Sequence, residues 1–97
     1  MTGVDREDAK HSVEKGWSFL IDSVYDRLSQ CSSAFVSTVK EKYGGLRIYV
    51  GGIDDETQDF LDAIEEKSYT VCEFCGKPGK PRNSGWIKTL CDDCVRK

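Results

Sequence analysis

Residues 72–94 read CEFCGKPGKPRNSGWIKTLCDDC. Cys72 and Cys75 make one C-x-x-C pair, Cys91 and Cys94 a second, and fifteen residues lie between them. This is the paired-cysteine spacing of a zinc site. Two residues between ligands let a tight turn aim both sulfurs at one ion. The intervening stretch is long enough for a hairpin to bring the second turn opposite the first, and four thiolates complete a tetrahedron with Zn–S bonds of about 2.3 Å. Gly76 follows the second ligand, where such a knuckle often requires positive φ. Asn83-Ser84-Gly85 supplies turn residues, and Trp86-Ile87-Lys88-Thr89-Leu90 has strand character. Residues 70–97 therefore read as a small zinc ribbon with Cys72, Cys75, Cys91 and Cys94 as ligands.

Four cysteines close the coordination sphere, whereas a catalytic zinc keeps a position for water or substrate, so the expected metal is structural. Its binding would stabilise the module by an apparent free energy on the order of 10 kcal/mol. Two disulfides would need an oxidising compartment. A thioredoxin-like C-x-x-C needs a βαβ context and a helix N-terminus. A four-thiolate iron site uses the same donors and stays open on sequence grounds.

Working outward, the whole chain has 97 residues, enough for one domain with a small appended module and only a marginal core. A metal staple suits that size. No apolar run approaches the roughly 18 residues of a membrane span. The N-terminal MTGVDREDAKHSVEK is charged and has no apolar stretch of the signal-peptide kind. The expectation is a cytoplasmic chain with reduced thiols, no membrane association and no small-molecule substrate. Residues 1–71 carry 8 Lys/Arg against 14 Asp/Glu, net −6, and residues 72–97 carry 6 against 3, net +3. Four thiolates and one divalent ion reduce that tail to about +1, so it is no polycation.

Residues 1–11 are polar and expected to be flexible. Residues 12–69 read as a helix–hairpin–helix unit. Val13, Trp17, Leu20, Ile21, Val24 and Leu28 recur at helical spacing, and Gly16 places the helix start near itself and the end near Ser29–Cys31. Ala34–Gly52, rich in β-branched and aromatic residues around Gly44-Gly45, reads as a β-hairpin. In its second strand Leu46, Ile48 and Val50 share one face, Arg47 and Tyr49 the other. A second helix opens at Asp54-Asp55-Glu56, with Asp55 and Gln58 resembling a capping box and Phe60, Leu61 and Ile64 as its stripe. The expected fold class is α+β: helix, β-hairpin, helix, then zinc ribbon.

Two clusters are candidate contact surfaces. Lys40, Lys42 and Arg47, with Tyr43, surround the hairpin turn and could bind an anion or a protein partner, although charges on an exposed hairpin would look the same. Lys77, Lys80, Arg82 and Lys88, with Trp86, could hold single-stranded nucleic acid by charge and stacking; the plainer reading is solubilising lysines around a small core. The acids from Asp54 to Asp62 read as a solvated helix start. Cys31 reads as a small buried hydrophobe and His11 as solvent-exposed.

The order GW, VKEKYGGLR, AIEEKS, CEFCGKPG and GWIKTLCDDC resembles a family of small bacterial and phage or prophage proteins. Their marks are a KEK-aromatic-GGLR segment and a C-terminal zinc-ribbon-like end. The resemblance covers residues 16–94. It implies one α/β unit joined to a ribbon and brings no activity or substrate with it. The functional expectation is a non-enzymatic, zinc-stabilised protein-interaction module, of the kind phages use to inhibit host complexes that handle nucleic acid, anti-CRISPR proteins among them. A nucleic-acid-binding ribbon is the alternative, and an enzyme is the third reading.

Overall fold

The computed structural model describes residues 3–96, apart from the side chains of Ser84 and Trp86. The fold is α+β. Helix α1 (Arg6–His11) is followed by a 3-10 turn (Lys15–Trp17) and helix α2 (Ser18–Leu28). Strands β1 (Phe35–Lys42) and β2 (Gly45–Gly51) pair antiparallel, and helix α3 (Asp55–Ser68) follows. Strands β3 (Lys80–Ser84) and β4 (Trp86–Leu90) form a second antiparallel pair, and a 3-10 turn (Cys94–Arg96) closes the described chain.

Part of the segment expected to be flexible is helical. A six-residue helix is too short to hold itself together in water, so α1 depends on tertiary contacts that carry no local sequence signal. The Asp5 carboxylate caps it by accepting from Asp8 N–H at 2.8 Å. Ala9 is fully buried against the core. Arg6 lies 3.2 Å from Asp22 and 2.8 Å from Asp26, and Lys10 lies 2.9 Å from Asp22, so three ion pairs fasten α1 along α2.

The apolar stripe of α2 buries Leu20, Ile21, Val24, Tyr25 and Leu28. The core continues through Trp17, Val36, Val39, Leu46, Leu61 and Val71. Val36 and Val39 stand three apart, which on a regular strand would put them on opposite faces. The β1–β2 register is interrupted between Val36 and Thr38, so both valines reach the core while Lys40 and Lys42 turn outward.

The turn differs by one residue from the expected Gly44-Gly45. Lys42 pairs with Gly45, leaving Tyr43 (φ 53°) and Gly44 (φ 83°) as a two-residue loop, both in the left-handed region. That conformation matches the twist of the flanking strands, and Asn-Gly fills it most easily. Here a tyrosine, 65% exposed, takes the place of the asparagine.

Helix α3 is capped by Asp54, whose carboxylate accepts from Thr57 N–H at 2.9 Å. The expected Asp55–Gln58 box does not form; Gln58 instead donates to Asp62 at 3.0 Å. Ser68, fully buried, accepts from Leu46 N–H at 2.9 Å, which lays the end of α3 along the outer edge of β2.

Replacing Tyr43 by Asn relieves the left-handed strain of a bulky residue. Tyr43→Asn is expected to stabilise the fold by about 1 kcal/mol, read as a higher midpoint in urea at unchanged slope. A lower midpoint would show that the tyrosine ring contributes packing which its exposure does not reveal.

Candidate metal centre

The Cys72–Cys75 knuckle is built by backbone bonds. Gly76 N–H donates to Cys72 O at 2.9 Å, and Cys72 N–H donates to Lys77 O at 2.8 Å. Gly76 has the expected positive φ, 83°. Val71 bridges Pro78, and Gly79 N–H donates to Thr70 O at 2.9 Å. The second pair follows β4, with Cys94 N–H pointing at Cys91 Sγ at 3.4 Å. All four sulfurs lie within 4.8 Å of one another, and those of Cys75 and Cys91 are 3.5 Å apart. A tetrahedron with 2.3 Å metal–sulfur bonds has edges of about 3.8 Å, so the four can share one metal ion with small adjustments.

The acidity of the thiols points the same way. Burial pushes the Cys72 thiol up, but N–H groups of Cys91, Cys75 and Phe74 outweigh it and bring it down to about 6. The N–H of Cys94 lowers Cys91 against the effect of burial. Cys75 is favoured as thiolate by Lys77 N–H, yet burial and the thiols of Cys91 and Cys72 push it up overall. Cys94 is pushed up to about 12, first by Cys91 and then by burial and the other two thiols. The cluster thus gives up its first protons readily and resists losing the last. A bound divalent cation is what would let all four ionise together.

The knuckle is not a free-standing appendage. Gly16 N–H donates to Glu73 O at 2.7 Å, and Trp17 Nε1 donates to Val71 O at 2.9 Å. A Cβ at Gly16 would overlap the carbonyls of Cys72 and Glu73. Between the ligands sits Glu73, 2% exposed, with Lys88 Nζ 3.3 Å away. The same ammonium lies 3.7 Å from Glu41 on β1. Glu41 accepts from Gly44 N–H at 2.8 Å, and Thr89 Oγ1 donates to Gly44 O at 2.6 Å. Burial raises the Glu73 carboxyl, with Lys88 opposing the shift.

These contacts redistribute the expected surface residues. Lys88 is committed to Glu73 and Glu41, and Arg82 lies 2.8 Å from Asp92 while donating to Leu90 O at 3.1 Å. Lys77 stands 4.0 Å from Asp93 across an exposed gap, Lys80 is exposed without an ion pair among the described residues, and the Trp86 side chain lies outside them. In the hairpin cluster Arg47 leans toward α3, its Nε 3.7 Å from Glu65 Oε2. Lys40 and Lys42 make no ion pair among the described residues. Each ammonium lies 5.6 Å from a ring centroid, Lys40 over Tyr49 and Lys42 over Tyr43. Sequence reasoning missed Tyr49, Glu41 and Glu73 as partners; the alternation of β2 already put Tyr49 beside Lys40, but nothing local pairs Glu73 with Lys88.

Cys31 is half-buried, its thiol 3.8 Å from Thr57 Oγ1, and His11 is exposed as expected. No described helix is long and apolar enough to cross a membrane. Compared with protein-family models, curated proteins and solved structures, the chain matches none.

Two outcomes follow from this geometry. Protons and metal compete for the same sulfur lone pairs, so affinity for Zn(II) or the spectroscopic probe Co(II) should fall as pH is lowered. Because Cys72 is already ionised above about 6, fewer protons are displaced there, and the fall should steepen below that pH. Cys72→Ser should abolish stoichiometric metal in native mass spectrometry, and full retention would mean the four sulfurs are not the ligand set. Separately, Lys88→Met leaves Glu73 and Glu41 without a counter-charge and is expected to cost about 2–3 kcal/mol in urea denaturation. Adding Glu73→Gln should recover much of that loss, a double-mutant cycle that additive costs would refute.

Proposed function

We propose that this chain is a non-enzymatic protein-interaction module held in shape by zinc. The observation that carries the reading is how the cations are used. Arg82 and Lys88 of the ribbon are tied to carboxylates of the same chain, while Lys40 and Lys42 stand outward on the hairpin beside exposed Tyr43 and Tyr49. Exposed tyrosine is a side chain that protein interfaces favour, and the lysines beside it would supply charge selection. Four thiolates around one ion leave no coordination position for a substrate, which supports a structural role for the metal, and zinc is the ion we propose. Tyr43 supports the reading further: an exposed ring kept in a strained backbone conformation costs stability that packing does not return.

The VKEKYGGLR and CEFCGKPG segments resemble those of phage and prophage proteins, and by analogy with small phage proteins that inhibit host machinery the proposed partner is a host complex that handles nucleic acid. The net −6 of residues 1–71 suits association with the basic surfaces of such complexes. Direct nucleic-acid binding by the ribbon draws less support, since Arg82 and Lys88 are held by carboxylates of the same chain and Lys77 lies 4.0 Å from Asp93.

The test is capture from bacterial lysate with the tagged, zinc-loaded chain, alongside a gel shift with single- and double-stranded DNA at low salt. The reading expects one stoichiometric partner, lost with Cys72→Ser, and no DNA shift. Absence of any stoichiometric partner across a range of salt, or a salt-sensitive DNA shift, would sink it.

A further inference from the structure

Strand β1 has a neighbour on one side only. Which of its backbone groups face the open side follows from two observed bonds. In an antiparallel pair, residues alternate between exchanging hydrogen bonds with their partner and pointing both backbone groups away from it. Leu46 N–H points away from β1, since it donates to Ser68 Oγ at 2.9 Å. Its cross-strand partner Glu41 must therefore point its N–H and C=O to the opposite edge. Two residues back, Val39, opposite Ile48, does the same. At Val36 the outward carbonyl is already used: it accepts from Val4 N–H at 2.8 Å. The N-terminal segment thus lines this edge at Val4. The outward backbone groups of Val39 and Glu41 have no partner among the described residues.

We propose that this edge accepts an extended, acidic segment of a protein partner as an added strand, continuing the line that Val4 begins. The side chains on the outer face of β1 set the chemistry. Lys40 and Lys42 project there two residues apart, without an ion pair among the described residues, each placed over a tyrosine ring. A strand laid beside them would bring alternate side chains opposite the two ammoniums, so the matching segment carries acidic residues two apart. Its other face would meet Val39, which asks for apolar residues between the acids. Main-chain bonds would give the affinity and the Lys pair the selection, as in other strand-addition sites.

Two other occupants fit less well. A second copy of the chain, paired edge to edge through β1, would bring lysines against lysines, the charge pattern that guards edge strands from self-association. A single nucleic-acid strand has no peptide groups to pair with the outward N–H and C=O of Val39 and Glu41, and would meet the two lysines alone.

The proposal rests on the protein-interaction reading and names the chemistry of its partner. The probe is a fluorescein-labelled peptide of about ten residues alternating Glu and Val, long enough to run along the eight-residue β1. Controls are the same peptide with Lys in place of Glu, and a short oligothymidine. The protein is the full, zinc-loaded chain. Expected are binding of the Glu–Val peptide alone, weakening with salt, and slowed hydrogen exchange at the Val39 and Glu41 amides in its presence. Lys40→Glu with Lys42→Glu should weaken binding by about tenfold or more while zinc content and melting stay unchanged, because both side chains are exposed. No binding, binding that ignores these substitutions, or protection at other amides overturns the proposal, as does preference for the oligothymidine. Dimerisation of the free chain with protection of the same two amides would overturn it in favour of self-pairing. If the Glu–Val peptide fails but the lysate partner is still captured by the double-Glu variant, the docking edge is wrong and the interaction reading survives. If no partner is captured at all, the interaction reading fails first.

Discussion

Trp17 Nε1 donates to Val71 O across 54 residues of chain. Most of the architecture leans on that bond and on its neighbour, Gly16 N–H to Glu73 O. Trp17 is fully buried, and a tryptophan with its N–H unsatisfied there would cost much of what its burial contributes. The acceptor carbonyl belongs to the residue just before the first cysteine ligand. The turn that starts α2 and the turn that starts the metal knuckle are therefore one packing unit. Gly16 is small because two backbone carbonyls occupy the space where a side chain would go. The same stretch that reads as a poor helix start is a close approach between distant parts of the chain.

This explains which parts of the structure were legible in the sequence. The helices α2 and α3 declare themselves through apolar spacing, and the hairpin through β-branched residues around glycines. The metal ligands declare themselves through spacing alone, because two residues between cysteines is a local geometric requirement. What the sequence hides is set by contacts between distant residues. Helix α1 exists because Ala9 is buried and Arg6 and Lys10 find carboxylates on α2. The break in β1 register at Ser37 has no glycine or proline to announce it. The commitment of Lys88 to Glu73 and Glu41 was equally invisible, and it ties a half-buried residue of the candidate surface to carboxylates of the same chain.

Charge shows the same division. A count of the tail suggests a basic ribbon that reaches for phosphates. In the folded chain Arg82 and Lys88 answer carboxylates on the ribbon itself or on β1, and Lys77 stands 4.0 Å from Asp93, while Lys80 and Arg96 make no ion pair among the described residues. Among the described residues, Lys40 and Lys42 of β1 make no ion pair and lie over exposed tyrosines, while Arg27, likewise without one, lies over half-buried Phe60. Net charge described the chain's long-range field, whereas the local pairing decides which groups a partner could meet.

The position of Tyr43 ties these observations together. A two-residue loop with both residues at positive φ is demanding, and a tyrosine is a poor occupant for it. The loop is held by contacts outside itself. Gly44 N–H donates to Glu41, Gly44 O accepts from Thr89 Oγ1, and the Glu41 carboxylate is fixed in turn by Lys88. Lys88 and Thr89 belong to β4, one strand before the second pair of ligands, and Glu73 lies between the first pair. The clamps from Thr89 and Lys88 thus come from a segment that the four cysteines bracket. An isolated hairpin of this sequence would keep only the bond to Glu41 and would be marginal in water. The strained ring at its tip leans on the folded ribbon beneath it, and a ribbon this small would gain most of its stability from the metal ion its four cysteines could hold.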